Sequence, residues 1–335
     1  MQFRCIPYQL KFKYPFRIAH GERTHTNVVY VLLQHNHFTA YGEAALPPYL
    51  PETQDSVIAF VHDFANAVGE FGIDDCLNEL RHFRTGNMAA RAAIDMALWN
   101  LKSQIENKSI AQLLGVPDAP MPLNTYTIGV CSPNEMKLKV DDANAFGFQI
   151  FKLKLDGKSD EEMVAEFRKL TDLPFAVDVN QGWKSTAEAT SKIHWLKQQG
   201  CVLVEQPLLT AMNEEMKQLK AITPLPLYAD ESCQTVDDLE KLRDCYHGVN
   251  IKLMKCGGIT PAYEMLKAAK QMGFKVLIGC MSESSVGCHA AAQLAMLADY
   301  TDLDGPYLIS NDCFSGVGMK DGSLLTDILL QKFSF

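Results

Sequence analysis

Residues 149–154 read QIFKLK, an apolar run that ends in a lysine, and the same pattern returns as PFAVD at 174–178, CVLVE at 201–205, PLYAD at 226–230 and VNIKLMK at 249–255. Short apolar runs closed by a charge and followed by polar, helix-patterned sequence read as buried parallel strands, and their near-regular recurrence is that of successive βα units. Adding the runs at 124–128, 276–279 and 300–304 gives eight strands, the number that closes a (β/α)8 barrel. Periodicity alone would also accommodate an open doubly wound sheet; the strand count and the need to bring five charged strand ends together favour closure. In such a barrel the C-terminal strand ends converge on one face, so Lys154, Asp178, Glu205, Asp230 and Lys255 are predicted to meet there. Lys152 and Lys154 are two apart and therefore both point into the barrel, leaving Leu153 and Leu155 toward the helices.

Upstream of this alternation the pattern changes. Residues 1 to about 50 read as strands and turns, whereas 53–115, including MAARAAIDMALWNLKSQIENKSIAQLLG at 88–115, repeat apolar positions at helical spacing. The sequence therefore predicts an α/β protein in which an α+β capping domain over 1–115 precedes a catalytic barrel over 116–312. Residues 313–335 are expected to pack back on the capping domain. The proline-rich GVPDAPMPLN at 115–124 reads as the linker.

At 335 residues the chain has room for both parts, and its 47% hydrophobic content is ordinary for a globular protein. A formal charge of −9 argues against a general binder of nucleic acid or anionic membrane. The first residues lack the organisation of a signal peptide, and no window approaches the length of a transmembrane helix. Ten cysteines without a CxxC pair read as reduced thiols, so a cytoplasmic protein is expected. Cys288-His289 lies in the Ala-rich run VGCHAAAQLAMLA and reads as helix packing rather than zinc ligation. Gly257-Gly258 and GVGMKDG at 316–322 read as turns, and no Walker, HExxH or GxSxG motif occurs.

Three carboxylates on neighbouring strand ends make a hard, oxygen-rich site suited to Mg²⁺. A divalent ion there can bind a substrate carboxylate and stabilise the charge that forms when the adjacent carbon loses its proton. Lysines can serve as the bases where their surroundings tune them toward that task. Lys154 on the second strand and Lys255 just past the sixth would flank the site from opposite sides, an arrangement that removes a proton from one face of a planar enolate and returns it to the other. That is racemase or epimerase chemistry.

At these residues the chain resembles the enolase superfamily, in its muconate-lactonising subgroup. The resemblance is carried by KLK at 152–154, DVNQGW at 178–183, VEQP at 204–207, ADES at 229–232, NIKLMKCGG at 250–258 and GCMSES at 279–284, over nearly the whole chain. It implies a barrel with an N-terminal capping domain, one Mg²⁺ held by Asp178, Glu205 and Asp230, acid/base catalysis by Lys154 and Lys255, and Lys152 as the lysine that tunes Lys154. Val179 and Asn100 depart from the common pattern without removing a reacting group. Within the subgroup the chain is similar to dipeptide epimerases, through TYTIGV at 125–130 and DLD at 302–304. That similarity implies that Asp302 and Asp304 hold the ammonium group of a dipeptide by charge-assisted hydrogen bonds, with Thr127 also contacting substrate.

Substrate choice is expected to lie in RIAHGERTHT at 17–26, read as a loop after the first strand of the capping domain. Arg23 there could pair with a glutamate side chain, which favours L-Ala-D/L-Glu, a murein breakdown product. The alternatives on the same scaffold are o-succinylbenzoate synthesis, N-acylamino acid racemisation and muconate cycloisomerisation. A silent barrel acting as a binding module is the reading from outside enzymology. Self-association into a homo-oligomer is expected from the habit of barrels, and neither nucleic acid nor membrane is expected as a partner.

Overall fold

The computed structural model describes residues 1–18, 21–325 and 330–332. The chain begins with a three-stranded antiparallel sheet, β1 (Gln2–Ile18), β2 (Gly21–His35) and β3 (Phe38–Leu46), in that spatial order. Helices α1 (Gln54–Val68), α2 (Ile73–His82), α3 (Met88–Glu106) and α4 (Ile110–Leu114) follow. Every residue of α3 from Ala89 to Leu101 is buried, which explains its alanine-rich composition: it is enclosed on all sides, so small side chains set how near its neighbours come. Gly42 on β3 makes the closest approach, since a Cβ there would sit 1.8 Å from the Ala93 carbonyl oxygen.

The stretch Arg17–Thr26, read from sequence as a loop, is mostly strand. Arg17 and Ile18 end β1, and Gly21 onward belongs to β2, with Arg17 opposite Glu22 and Phe16 opposite Arg23; Ala19 and His20 lie outside the described residues. Its polarity is that of an exposed two-stranded ribbon, which covers no core on its outer side and so carries charges where a loop also would. A register shift between Lys11 and Phe16 separates the ribbon tip from the rest of the hairpin.

The barrel strands are β4 (Thr125–Ile128), β5 (Ile150–Lys154), β6 (Phe175–Asp178), β7 (Cys201–Glu205), β8 (Leu227–Ala229), β9 (Gly248–Lys252), β10 (Lys275–Gly279) and β11 (Tyr300–Asp302), all parallel and paired in chain order. A parallel bridge between Asn124 and Thr301, with Leu303 N–H donating to Asn124 Oδ1, joins the last strand to the first. The barrel is thus closed, and its strands are buried on both faces, as their unbroken apolar runs require. Outer helices are α5 (Pro133–Phe146), α6 (Asp160–Arg168), α7 (Thr186–Gln198), α8 (Asn213–Ile222), α9 (Leu239–Leu242), α10 (Leu253–Cys256), α11 (Ile259–Gln271), α12 (Ser285–Ala292) and α13 (Gly305–Leu308).

The two parts are fastened by buried polar contacts. Asp95 on α3 accepts from the first amides of α11, Ile259 N and Thr260 N, which offset part of the burial that pushes its carboxyl up to about 7. Gly258 before them has φ +127°, and a Cβ there would strike the Asp95 side chain. Glu43 on β3 accepts from Ser284 N, Ser284 Oγ and Gly287 N at the start of α12. Beyond the barrel, Phe314 packs against Tyr30 and Tyr41 of the first sheet, while a short hairpin of 318–320 with 323–325 touches the barrel near Leu123. Cys288 and His289 are buried in α12. All ten cysteines are free, and no helix among the described residues is long and apolar enough to cross a membrane.

Candidate active site

The parallel register sets Lys154 beside Asp178 and Asp178 beside Glu205, so β5, β6 and β7 deliver their terminal charges in one layer. Asp230 follows β8 directly. One carboxylate oxygen from each of Asp178, Glu205 and Asp230 lies within 4.8 Å of the others, the one such cluster among the described residues. All three are buried.

Four lysines surround this triad. Lys152, fully buried, places Nζ 2.7 Å from Asp302 Oδ2, 2.8 Å from Glu205 Oε2 and 3.5 Å from Asp178 Oδ2. Lys154 Nζ donates to Asp178 Oδ2 at 2.6 Å. Lys252 Nζ donates to Asp230 Oδ2 at 2.7 Å. Lys255 Nζ reaches Asp230 Oδ1 at 2.6 Å, the Asp230 carbonyl at 2.7 Å and the Asn250 carbonyl at 2.9 Å. Asn250, two residues before Lys252 and on the same inward face, donates Nδ2 to Glu205 Oε1.

The electrostatics follow from these distances. Burial alone would pull Lys152 down, but Asp302, Glu205 and Asp178 more than offset it and hold the ammonium well above its usual range. Burial likewise opposes the ionised forms of Asp178 and Asp230, yet Lys154 and Lys152 hold Asp178 low, and Lys252 and Lys255 hold Asp230 far lower. Glu205 goes the other way: burial, then its carboxylate neighbours Asp178 and Asp230, push it up to about 7 against the pull of Lys152. The 2.8 Å approach of Lys152 to Glu205 Oε2 is a charge contact without hydrogen-bond alignment, so that buried oxygen has no directed donor. An all-oxygen donor set of three carboxylates with one undirected carboxylate oxygen fits a hard divalent cation.

Above the layer opens a cavity of about 420 Å³. Lys154, Asp230, Lys252, Lys255, Thr127, Asp302 and Asp304 line it from the barrel, and Arg23, Phe12 and Phe16 reach it from the capping domain. Thr127 N donates to Asp304 Oδ2 at 2.5 Å, and Asp304 is pushed up to about 7 by burial and by Asp302. Asp302 is held low despite its burial, chiefly by Lys152. The Arg23 guanidinium lies over the Phe12 and Phe16 rings at 5.7 and 5.5 Å, and its buried Nη1 has no hydrogen-bond partner.

Residues 2–115 match the family described as mandelate racemase / muconate lactonizing enzyme, N-terminal domain, and residues 135–310 match the enolase C-terminal domain-like family. The chain belongs to the mandelate racemase / muconate lactonizing enzyme family. An L-Ala-D/L-Glu epimerase of Bacteroides thetaiotaomicron is 38% identical over 326 residues, spanning 97% of this chain and 85% of that protein. A substrate-liganded complex of the L-Ala-D/L-Glu epimerase from Bacillus subtilis has a TM-score of 0.89 at 27% identity, covering 99% of this chain and 97% of that one. A dipeptide epimerase from Enterococcus faecalis V583, complexed with Mg and L-Leu-L-Tyr, has a TM-score of 0.86 at 27% identity and covers 99% and 96% of the two chains.

In this member of the mandelate racemase / muconate lactonizing enzyme family, the geometry alters two residue readings. Lys255, taken from sequence as the second acid/base, is not on the strand; it lies in α10, and its three ammonium protons go to Asp230 and to two backbone carbonyls. Both lysines border the cavity, but Lys252 ends β9 and its ammonium makes one hydrogen bond, to Asp230, which leaves two protons uncommitted. The missed signal is the one that identified Lys152 with Lys154: residues two apart on a strand share a face, and Asn250 and Lys252 form such a pair. Asp302 is also less free than a rim residue, because Thr125 Oγ1 and Lys152 Nζ take its two oxygens; Lys152 is thereby a buried counter-charge rather than a group facing substrate.

Proposed function

We propose that this protein is a Mg²⁺-dependent epimerase acting on the α-carbon of a dipeptide, with L-Ala-D/L-Glu as its preferred substrate. The observation that carries the reading is the pair Lys154 and Lys252, on the second and sixth of eight strands, facing one cavity from opposite sides of a buried carboxylate triad. The names of its relatives support the same reaction.

In this reading Asp178, Glu205 and Asp230 hold the cation, which when bound supplies Lewis-acid stabilisation of the charge that develops as the α-proton leaves. Lys154 Nζ removes that proton from one face, steered by its hydrogen bond to Asp178. Lys252 Nζ, steered by Asp230, returns a proton to the opposite face, and the two exchange roles in the reverse direction. Lys255 holds the Asp230 segment in place and Lys152 neutralises the carboxylates below. Asp304, beside Thr127, receives the dipeptide ammonium, with Asp302 adding negative field. Arg23 faces the substrate side chain with an unpaired nitrogen, which favours a carboxylate there. Phe12 and Phe16 shield the site from water. Ten free thiols support a reducing, cytoplasmic setting.

Proton NMR of L-Ala-L-Glu with enzyme and Mg²⁺ in D₂O tests the reading. Loss of one α-proton signal with growth of the diastereomer is expected. Silence for dipeptides with turnover of an N-acylated amino acid would overturn it in favour of a racemase on the same scaffold.

A further inference from the structure

Arg23 sits at the tip of a ribbon, beyond a register shift, so some other contact must fix its place over the cavity. Cross-strand partners share a face: Phe16 and Arg23 face the cavity, while Arg17 and Glu22 form the opposite face. Arg17 Nε meets Glu22 Oε2 at 2.6 Å and its Nη1 meets Glu135 Oε2 at 2.8 Å. Glu135 is in the first turn of α5 and is held in turn by Lys139 at 2.8 Å, the two side chains being 17% and 5% exposed. The Arg17 carbonyl accepts from Val130 N at 3.0 Å, and Gly129 permits this approach, since a Cβ there would lie 2.7 Å from the Arg17 oxygen. Tyr14 adds a hydrogen bond to Asp142 on the same helix.

The segment that receives Arg17 is the one that builds the other end of the cavity. Thr127 N holds Asp304, and three residues later Val130 N holds the ribbon tip. We infer that the Arg17–Glu135 ion pair, seated on Gly129, is a positioning device for substrate specificity: it fixes the span between the ammonium site at Asp304 and the side-chain site at Arg23, and so selects dipeptides with an acidic second residue. This rests on the reading of Arg23 given above. The ion pair touches no substrate atom and lies on the opposite face of the ribbon. Its removal lets the tip shift while the lysines and carboxylates of the barrel stay in register, because those are held by strand pairing.

Glu135→Gln and Arg23→Ala, singly and together, test this in steady-state assays with L-Ala-L-Glu and with a neutral dipeptide such as L-Ala-L-Leu. Glu135→Gln is expected to raise KM for the acidic dipeptide about 10-fold with kcat held within about 3-fold, and to leave the neutral dipeptide unchanged. Glu135→Asp, which keeps the charge, should recover most of the loss, as a merely structural defect would not. In the Arg23→Ala background Glu135→Gln should cost nothing further on the acidic substrate, because the two act through one contact. Equal losses on both dipeptides, or additive losses in the double variant, would overturn the positioning role while leaving Arg23 as the specificity residue. Unchanged kcat/KM for L-Ala-L-Glu in Arg23→Ala alone would sink the Arg23 reading and this inference with it.

Discussion

Replacing Lys252 and Lys255 by Met, one at a time, separates the lysine that moves a proton from the lysine that holds the site. A positioned acid/base contributes about 10²–10⁴-fold, so Lys252→Met should lower the epimerisation rate by that factor. Its other consequence is more diagnostic. Lys154 remains beside Asp178 and can still take the α-proton from its own face and return a solvent deuteron to that face. The variant should therefore exchange the α-proton of one diastereomer in D₂O with retention of configuration, and that of the other diastereomer hardly at all. Lys255→Met removes the ammonium that satisfies the Asp230 carbonyl, the Asn250 carbonyl and Asp230 Oδ1. Breaking a buried, hydrogen-bonded charge pair costs about 3–5 kcal/mol, so this variant should unfold at a distinctly lower urea concentration. The assay is paired: NMR exchange and epimerisation for activity, urea titration for stability. If Lys252→Met epimerises at the wild-type rate while a stably folded Lys255→Met does not, the assignment drawn from the hydrogen-bond pattern is wrong.

Other outcomes follow from the same contacts. Mg²⁺ should raise the melting temperature of chelator-treated protein in a concentration-dependent way, and Asp178→Asn, which removes a ligand charge, should abolish that rise in differential scanning fluorimetry. Asp304→Asn should raise KM for L-Ala-L-Glu about 10-fold or more while sparing an N-acetylated analogue that carries no ammonium group; equal effects on both would remove Asp304 from that role. Glu43 is pushed from 4.5 to about 8, first by burial and then by Glu283. A carboxyl whose folded-state value is raised binds more protons folded than unfolded, so its contribution is present at low pH and is lost as pH rises through about 8. Stability between pH 5 and 8 should thus fall more steeply in the wild type than in Glu43→Gln, by up to about 1.4 kcal/mol per pH unit; parallel slopes would contradict the assignment.

The specificity argument and the stability argument meet at the same elements. Glu43 and Asp95 tie the capping domain to the starts of α12 and α11, and Arg17 ties its ribbon to the start of α5. Helix N-termini carry unsatisfied amides and positive potential, so acidic side chains placed there hold firmly. The cap is therefore fastened near the C-terminal face of the barrel, where it closes over the lysines.

Much of this protein is written locally. Six of the eight barrel strands are short apolar runs that end in or run straight into a charge, and their recurrence at the interval of a βα unit reads as buried parallel strands. Once the strands are placed, the convergence of their ends brings Lys154, Asp178, Glu205 and Asp230 together, and the two-residue period turns Lys152 inward with Lys154. The same period marks Lys252 as inward with Asn250, but where Lys255 points was not available from spacing. The chain passes from β9 directly into α10 between the two lysines, and there a side chain's direction depends on backbone torsions rather than on residue count. The commitment of Asp302 to Lys152 and Thr125 joins residues far apart in sequence across the closing seam of the barrel. Arg23 is placed by a hairpin register and by an ion pair to a helix more than a hundred residues away. Local sequence set which groups could react, because strand pattern is a short-range property; tertiary packing decided which of them face the substrate, because charges pair with whatever the fold brings within reach.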